Sequence, residues 1–405
     1  MMRSTRIWLA GAASLLLACA GCSAASGGSP QAHPAASPHR PVTHAAKTPQ
    51  AAATPSCATT VLDRMTEAQR VGQLFLVGLA GDQVGPSDAS AIRDYHFGSV
   101  VFGTNTTGGL ATAHSLSSAV EALVSPQATA DVRFFVAANQ EGGEVQAIRG
   151  PSFSAIPPAT QQGLVRPATL QQQAAVWARQ LRAAGVNLNL APVMDVVPAG
   201  TAAQNQPIGA LDRNYGDDPA TVASHGVAFI RGMGQEGVAT TAKHFPGLGR
   251  VQGNTDFSAN VTDSVTGPED PYLASFRAAV DAGVPMVMVA LATYTRIDPD
   301  HLAVFSSRVM RGILRGQMHF QGVILSDDLG VSTAVASVPP ADRALDFVAA
   351  GGDLMTVESL PAAVTMAAAV LARATASTAF RQQVDGAALR VLEAKQAYGL
   401  LPCAA

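Results

Sequence analysis

GVILSDD (Gly322–Asp328) runs from four apolar or small residues straight into two carboxylates. A strand with one wet face alternates apolar and polar side chains. This one is apolar on both faces, as a parallel strand must be when helices cover it outside and layered side chains fill the space inside. The same kind of run recurs along the chain at Gln73–Gly78, Ser99–Gly103, Arg133–Asn139, Asn187–Pro192, Ala239–Phe245, Pro285–Ala290 and Asp353–Val357. Helical periodicity fills several of the intervals, at Thr169–Ala184, Pro219–Glu236, Asp270–Ala282, Ser307–Met318 and Pro361–Ala374. Eight repeats of strand then helix on one α/β chain fit a single (β/α)8 TIM-type barrel better than a doubly wound sheet.

A barrel of this kind places its chemistry just beyond the strands' C-terminal ends. Polar residues collect there. Asn139-Gln140-Glu141-Gly142-Gly143 follows the third run, Met194-Asp195 the fourth, Lys243-His244 the fifth, Thr293-Tyr294 the sixth and Ser326-Asp327-Asp328 the seventh. Because successive side chains on a strand point to opposite sides, one of Asp327 and Asp328 is expected to face the barrel mouth and the other to turn away. A carboxylate at that place can be a nucleophile, a metal ligand or a hydrogen-bond anchor, and no His/Asp/Glu spacing here suits a metal. Lys243 and His244 offer donors that suit sugar hydroxyls, although a structural ion pair and a satisfied core histidine read equally well from the residues alone. Arg213 can fork onto a hydroxylated or acidic substrate, or pair with Asp212 or Asp217. Asp218, ahead of Pro219, reads as a helix N-cap.

The chain has 405 residues and a net charge of −3, which gives no reason to expect nucleic acid. Arg3 and Arg6 precede an apolar stretch, Ile7 to Ala18, too short to span a bilayer comfortably. It reads as a lipoprotein signal peptide over residues 1–21, with Cys22 as the lipidated residue and Cys19 as the weaker alternative. Residues 22–56, rich in Ala, Pro, Ser and Thr, lack the apolar surface to fold and read as a disordered tether. Its three histidines, His33, His39 and His44, are irregularly spaced and read as solvated linker rather than metal ligands. The barrel domain then covers residues 57–405. Cys57 and Cys403 sit at its two ends, and in an exported protein they are expected to form a disulfide, since a closed barrel brings its termini together.

Taken together, NQEGGEVQ (139–146), NLNLAPVMDV (187–196), RNYGDDP (213–219), KHFPGLG (243–249) and LSDDL (325–329) resemble the glycoside hydrolase family 3 β-N-acetylhexosaminidases of the NagZ type, in order along the chain. The resemblance implies a retaining enzyme on one barrel, without cofactor, that removes β-linked N-acetylglucosamine from cell-wall fragments. It makes Asp327 the nucleophile, and places Asn139, Arg213, Lys243 and His244 in the sugar subsite. The family carries Asp-Ser-His on a mobile loop after KHFPGxG, with the His as acid/base. Here the loop reads Asn254-Thr255-Asp256-Phe257-Ser258, so Asp256 matches the orienting Asp and Ser258 stands where the His would be. Asp256 is therefore the expected proton-handling residue. Two further departures are Asn139 for the family's Asp and Ala147 for its Arg, with Arg149 as a candidate substitute. Three functional expectations follow: a membrane-anchored monomeric glycosidase acting on carbohydrate outside the cytoplasm, a catalytically weak or non-catalytic glycan-binding lipoprotein, or a phosphorylase of the same glycosides.

Overall fold

The computed structural model describes residues 56–403. The expected signal peptide, Cys22 and the histidines of the tether lie outside these residues. The eight barrel strands are β1 (Phe75–Leu79), β2 (Ser99–Phe102), β3 (Phe135–Ala138), β4 (Leu188–Asn189), β5 (Ala239–Phe245), β6 (Met286–Val289), β7 (Val323–Ser326) and β8 (Met355–Val357). From β1 to β7 each pairs in parallel with the next, and β8 pairs onto β1 with Met355 opposite Phe75. The seam between β7 and β8 is joined by a bridge between Leu325 and Leu354 and by the Ser326 N–H donating to the Leu354 carbonyl at 2.9 Å. The (β/α)8 reading of the sequence is thus observed, and every expected strand overlaps an observed one.

β4 is shorter than the expected Asn187–Pro192, and two asparagine side chains explain why. The Asn187 amide accepts from the Val136 N–H at 2.9 Å and donates to the Phe134 carbonyl at 2.9 Å. Asn189 does the same to both backbone groups of Gln140, each at 3.0 Å. Side-chain amides therefore take over part of the ladder between β3 and β4, which satisfies buried backbone groups without extending the strand.

A helix follows each strand: α1 (Pro86–Asp94), α2 (Gly109–Glu121), α3 (Pro167–Ala183), α4 (Pro219–Gln235), α5 (Ala274–Asp281), α6 (Arg308–Gln317, wound as a π-helix), α7 (Pro340–Ala350) and α8 (Leu360–Ala376). Asp218 caps α4 by accepting from the N–H groups of Ala220 and Thr221 at 3.0 and 2.9 Å, with Pro219 in the first turn. Such a cap is worth about 1 kcal/mol. Inside the barrel, Leu76, Phe135, Leu188, Met286 and Leu325 pack together, and Val391 and Leu400 join them from below. Burying each of these side chains contributes about 2 kcal/mol.

The C-terminal helix Thr378–Ala397 seals the N-terminal end of the barrel. From it Lys395, fully buried, donates to Gln73 Oε1 at 2.8 Å and to the Gly98 carbonyl at 2.7 Å. Burial pulls this ammonium down to about 7. Cys57 and Cys403 form the expected disulfide at the same end, their Cα atoms 6.1 Å apart. Beside it the Ala58 N–H donates to Gln396 Oε1 at 2.8 Å. Chemistry at the opposite end is left free to be shaped by loops.

Candidate active site

A cleft of about 600 Å³ opens at the C-terminal ends of the strands. Asn139, Arg213, Lys243, His244, Asp256 and Asp327, the residues singled out from the sequence, all line it. Four of the eight strand ends or their loops supply these six groups, as the rim of a barrel allows.

One wall is an ion-pair network centred on Glu141, which the sequence reading had treated only as a neighbour of the glycine pair. Arg213 forks onto it, Nε to Oε2 and Nη2 to Oε1, both at 2.8 Å. Lys243 Nζ lies 2.6 Å from Oε1 and also donates to Asn139 Oδ1 at 2.9 Å. Neither Asp212 nor Asp217 is the partner of Arg213. Lys243 and Glu141 are only 2% and 7% exposed, so each charge depends on the other. Burial alone would raise the Glu141 carboxyl, but Arg213 and Lys243 outweigh it and hold the group down to about 2. For Arg213, burial works against the charge and Glu141 reverses it, leaving the guanidinium above its ordinary value.

Next to this network, His244 Nδ1 and Asp195 Oδ2 are 2.8 Å apart, and Asp195 is fully buried. Asp195 Oδ1 also accepts from the backbone N–H groups of His244 and Leu248 at 3.1 and 2.9 Å. One carboxylate thus fixes both the imidazole and the chain that leaves β5. With Nδ1 committed to Asp195, Nε2 is the nitrogen left for the cleft. The Lys243–His244 and Phe245–Pro246 peptides are cis.

Asp327 and Asp328 both line the cleft but differ in their partners. Asp328 is spent on backbone: its oxygens accept from Gly330, Glu358, Val331 and Ser332 at 2.9, 2.8, 2.6 and 3.1 Å. It therefore ties the loop after β7 to the end of β8. Asp327 keeps a carboxylate on the cleft, held by the Asp328 N–H at 2.9 Å. Burial raises it above its ordinary value, with His244 and Lys243 pulling it down and Asp256 pushing it up.

The loop after β5 is pinned at both ends. At its base Asn205 Nδ2 donates to the Leu248 and Val251 carbonyls, each at 2.7 Å, and Tyr294 Oη donates to the Gly247 carbonyl at 2.9 Å. At its tip the N–H groups of Thr333 and Ala334 donate to the carbonyls of Asp256 and Thr255 at 3.1 and 3.0 Å, and Ser332 Oγ lies 3.2 Å from Asp256 Oδ1. Asp256 reaches the cleft, while Ser258 does not line it. Phe257 beside it lines the cleft with its ring 80% exposed.

One expectation about a substitute is corrected. Ala147 is buried in the core, and Arg149 does not replace the missing arginine. Its guanidinium is taken by the carbonyls of Gln146, Gly143 and Glu144 at 3.0, 2.8 and 3.0 Å, away from the cleft. The sequence reading also passed over Glu358, which follows β8 and lines the cleft. Its carboxylate meets the solvent filling the cleft, yet the protein around it and the charges of Asp328, Asp327 and Asp256 push it up to about 7, against a smaller pull from Lys243. The rule that polar residues just past each strand face the site, applied to the eighth strand, points straight to it.

A larger cavity, about 820 Å³, lies at the other end of the barrel and includes Arg182, Arg390, Glu393 and Tyr398. With Glu393 its only carboxylate, it lacks the facing acids that sugar cleavage needs.

A parallel barrel with carboxylates and a Lys/Arg/His wall lining the same rim cleft is suited to the chemistry of a glycoside hydrolase. Residues 66–394 match the glycosyl hydrolase family 3 N-terminal domain, and the chain belongs to that family. It is 31% identical over 292 residues to the β-hexosaminidase of Xanthomonas oryzae pv. oryzae, covering 70% of this chain and 83% of that protein. The crystal structure of the β-N-acetylhexosaminidase from Beutenbergia cavernae is similar with a TM-score of 0.81 and 45% identity, over 82% of this chain and 99% of that one. A family 3 β-N-acetylglucosaminidase from Paenibacillus sp. is similar with a TM-score of 0.74 and 28% identity, over 84% of this chain and 64% of that one. LpqI of M. tuberculosis is one of several further neighbours, at 24% identity and a TM-score of 0.71 over 84% of this chain and 96% of that one, a likeness of fold.

Proposed function

We propose that this chain is a retaining β-N-acetylhexosaminidase that removes terminal β-linked N-acetylglucosamine from cell-wall-derived glycans or muropeptides. The observation that carries the reading is Asp327, a carboxylate at the end of β7 that lines the same cleft as Lys243, Arg213 and His244. The names of the similar proteins support the sugar, and the family supports the bond cleaved. In this reading the Lys243–Arg213–His244 wall binds the sugar hydroxyls, with Asn139 adding an amide beside Lys243. Asp327 attacks the anomeric carbon, the glycosidic bond breaks, and water later releases the sugar from the covalent ester. Asp256 contributes to the proton transfers from the pinned loop.

Ser258 in the place of the family's histidine favours a second reading, a catalytically weak enzyme or a glycan-binding protein on the same barrel. A phosphorylase draws no support from Arg149, whose charge is occupied by backbone. The leader-like segment, Cys22 and the tether support attachment to the outer face of a bacterial cell membrane, and the Cys57–Cys403 disulfide fits an oxidising compartment.

Hydrolysis of an aryl β-N-acetylglucosaminide, compared between the native protein and Asp327→Asn, tests the catalytic claim. Turnover by the native protein and a loss of about 10⁴-fold or more in the variant is expected. Equal, background-level turnover in both would overturn it.

A further inference from the structure

Retaining cleavage needs two groups, and the cleft shows an accessible nucleophile while the loop position that carries the family's proton donor holds Ser258, which does not line the cleft. A proton donor must reach the same cavity, keep its proton near neutral pH and be free of other hydrogen-bonding duties. Asp328 fails the last condition, with four backbone N–H groups on its oxygens. Glu141 fails the second, being locked as an anion by Arg213 and Lys243. Asp195 is buried against His244 and two backbone N–H groups.

Glu358 is different. Its backbone N–H is fixed by Asp328, the residue after the nucleophile, so the end of β8 is held against the end of β7. Its side chain lines the cavity that Asp327 and Asp256 also line. The groups that act on it are Asp327 and Asp328 from the end of β7, Asp256 from the loop after β5, and Lys243 from β5 itself. Partial burial first, and then three carboxylates against one ammonium, disfavour a negative charge on Glu358.

Resting on the retaining-glycosidase reading above, we infer that Glu358 is the acid/base of this enzyme. In the first step an Asp327 oxygen bonds to the anomeric carbon, the bond from that carbon to the leaving oxygen breaks, and Glu358 gives its proton to that oxygen. In the second, Glu358 as a carboxylate takes a proton from water, the water oxygen bonds to the anomeric carbon, and Asp327 leaves as a carboxylate. The balance requires only water. The raised affinity of Glu358 for its proton, titrating at about 7, is what such a donor needs.

The experiment compares Glu358→Gln with the native enzyme on two substrates, a dinitrophenyl β-N-acetylglucosaminide and N,N′-diacetylchitobiose, with and without sodium azide. For the disaccharide, whose leaving group needs a proton, kcat/KM is expected to fall by about 10²–10⁴-fold. For the activated aryl glycoside kcat/KM is expected to change less than about tenfold, since bond breaking there needs little acid, and azide should restore kcat by forming the glycosyl azide without a base. The limb of the native pH profile that falls as Glu358 loses its proton, near pH 7, should vanish in the variant. Equal losses on both substrates without azide rescue, or native rates on both, would overturn the assignment to Glu358. If azide instead rescues Asp256→Ala and not Glu358→Gln, the role belongs to Asp256. A native enzyme inert toward the aryl glycoside fails at the earlier reading, and Glu358 falls with it.

Discussion

On the side of the cleft built by β3, β4 and β5, every charge is matched: Glu141 by Arg213 and Lys243, His244 by Asp195, and all but Arg213 are nearly or wholly buried. On the side built by the loop after β5 and the end of β8, Asp256, Phe257 and Glu358 stand in solvent, and the acids face other acids. The first side resembles a protein core in its economy of partners and has nothing to adjust when a ligand arrives. Donors held in place before binding cost little reorganisation. The second side is held mainly by backbone hydrogen bonds at the loop tip and the end of β8. In the proposed mechanism, holding the sugar and moving the proton would fall to parts of the cleft with different physical chemistry.

The comparison is broken most severely at Glu141. Glu141→Gln leaves Lys243 and Arg213 buried without their counter-charge, and a loss of about 3 kcal/mol in unfolding free energy is expected by chemical denaturation at pH 7. The sign of the pH dependence follows from the shift. The folded-state value of Glu141 is depressed from 4.5 to about 2, so its contribution is complete above about pH 4.5 and is lost as pH falls toward 2. The stability curves of the native protein and the variant should therefore converge across that window. A constant gap from pH 7 down to 2 would show that the ion pairs are not what holds this wall.

A second test leaves both walls alone. Replacing Cys57 and Cys403 together by serine opens a loop spanning 346 positions, for which a loss of about 2–4 kcal/mol in stability is expected with kcat unchanged. A parallel fall in kcat would mean that the rim senses the base of the barrel. The smallest expected effect sharpens the proton side. Asp256→Ala should slow the disaccharide by about tenfold to a hundredfold and the activated aryl glycoside much less. Removing that negative neighbour also makes the Glu358 proton easier to lose, so the falling limb of the pH profile should move to lower pH. A limb that stays in place would separate Asp256 from Glu358.

The fold was legible because strands buried on both faces leave continuous apolar runs, and because helical periodicity returns between them. Most of the site was legible because the rim of a barrel is reached by counting strands. Glu141 was not, since its partner Arg213 lies 72 residues away and nothing local distinguishes a buried carboxylate from a turn residue. The bond from His244 to Asp195, 49 residues apart, was hidden for the same reason, although each residue stood out as part of its own rim cluster. Arg149 looked available because sequence proximity does not reveal that nearby carbonyls would occupy it. Glu358 was within reach of the counting rule, but Asp353–Val357 was read only as a strand, and the residue after it went unweighed.

The disulfide between Cys57 and Cys403 lies at the base of the barrel, and the cleft lies at the other end. A pull applied at Ser56 would pass at Cys57 into the bridge and the first helix, Cys57–Arg64, and from there into the long C-terminal helix that seals the floor. A mechanical load of that kind is borne by covalent bonds and the packed base, bypassing the loops of the rim.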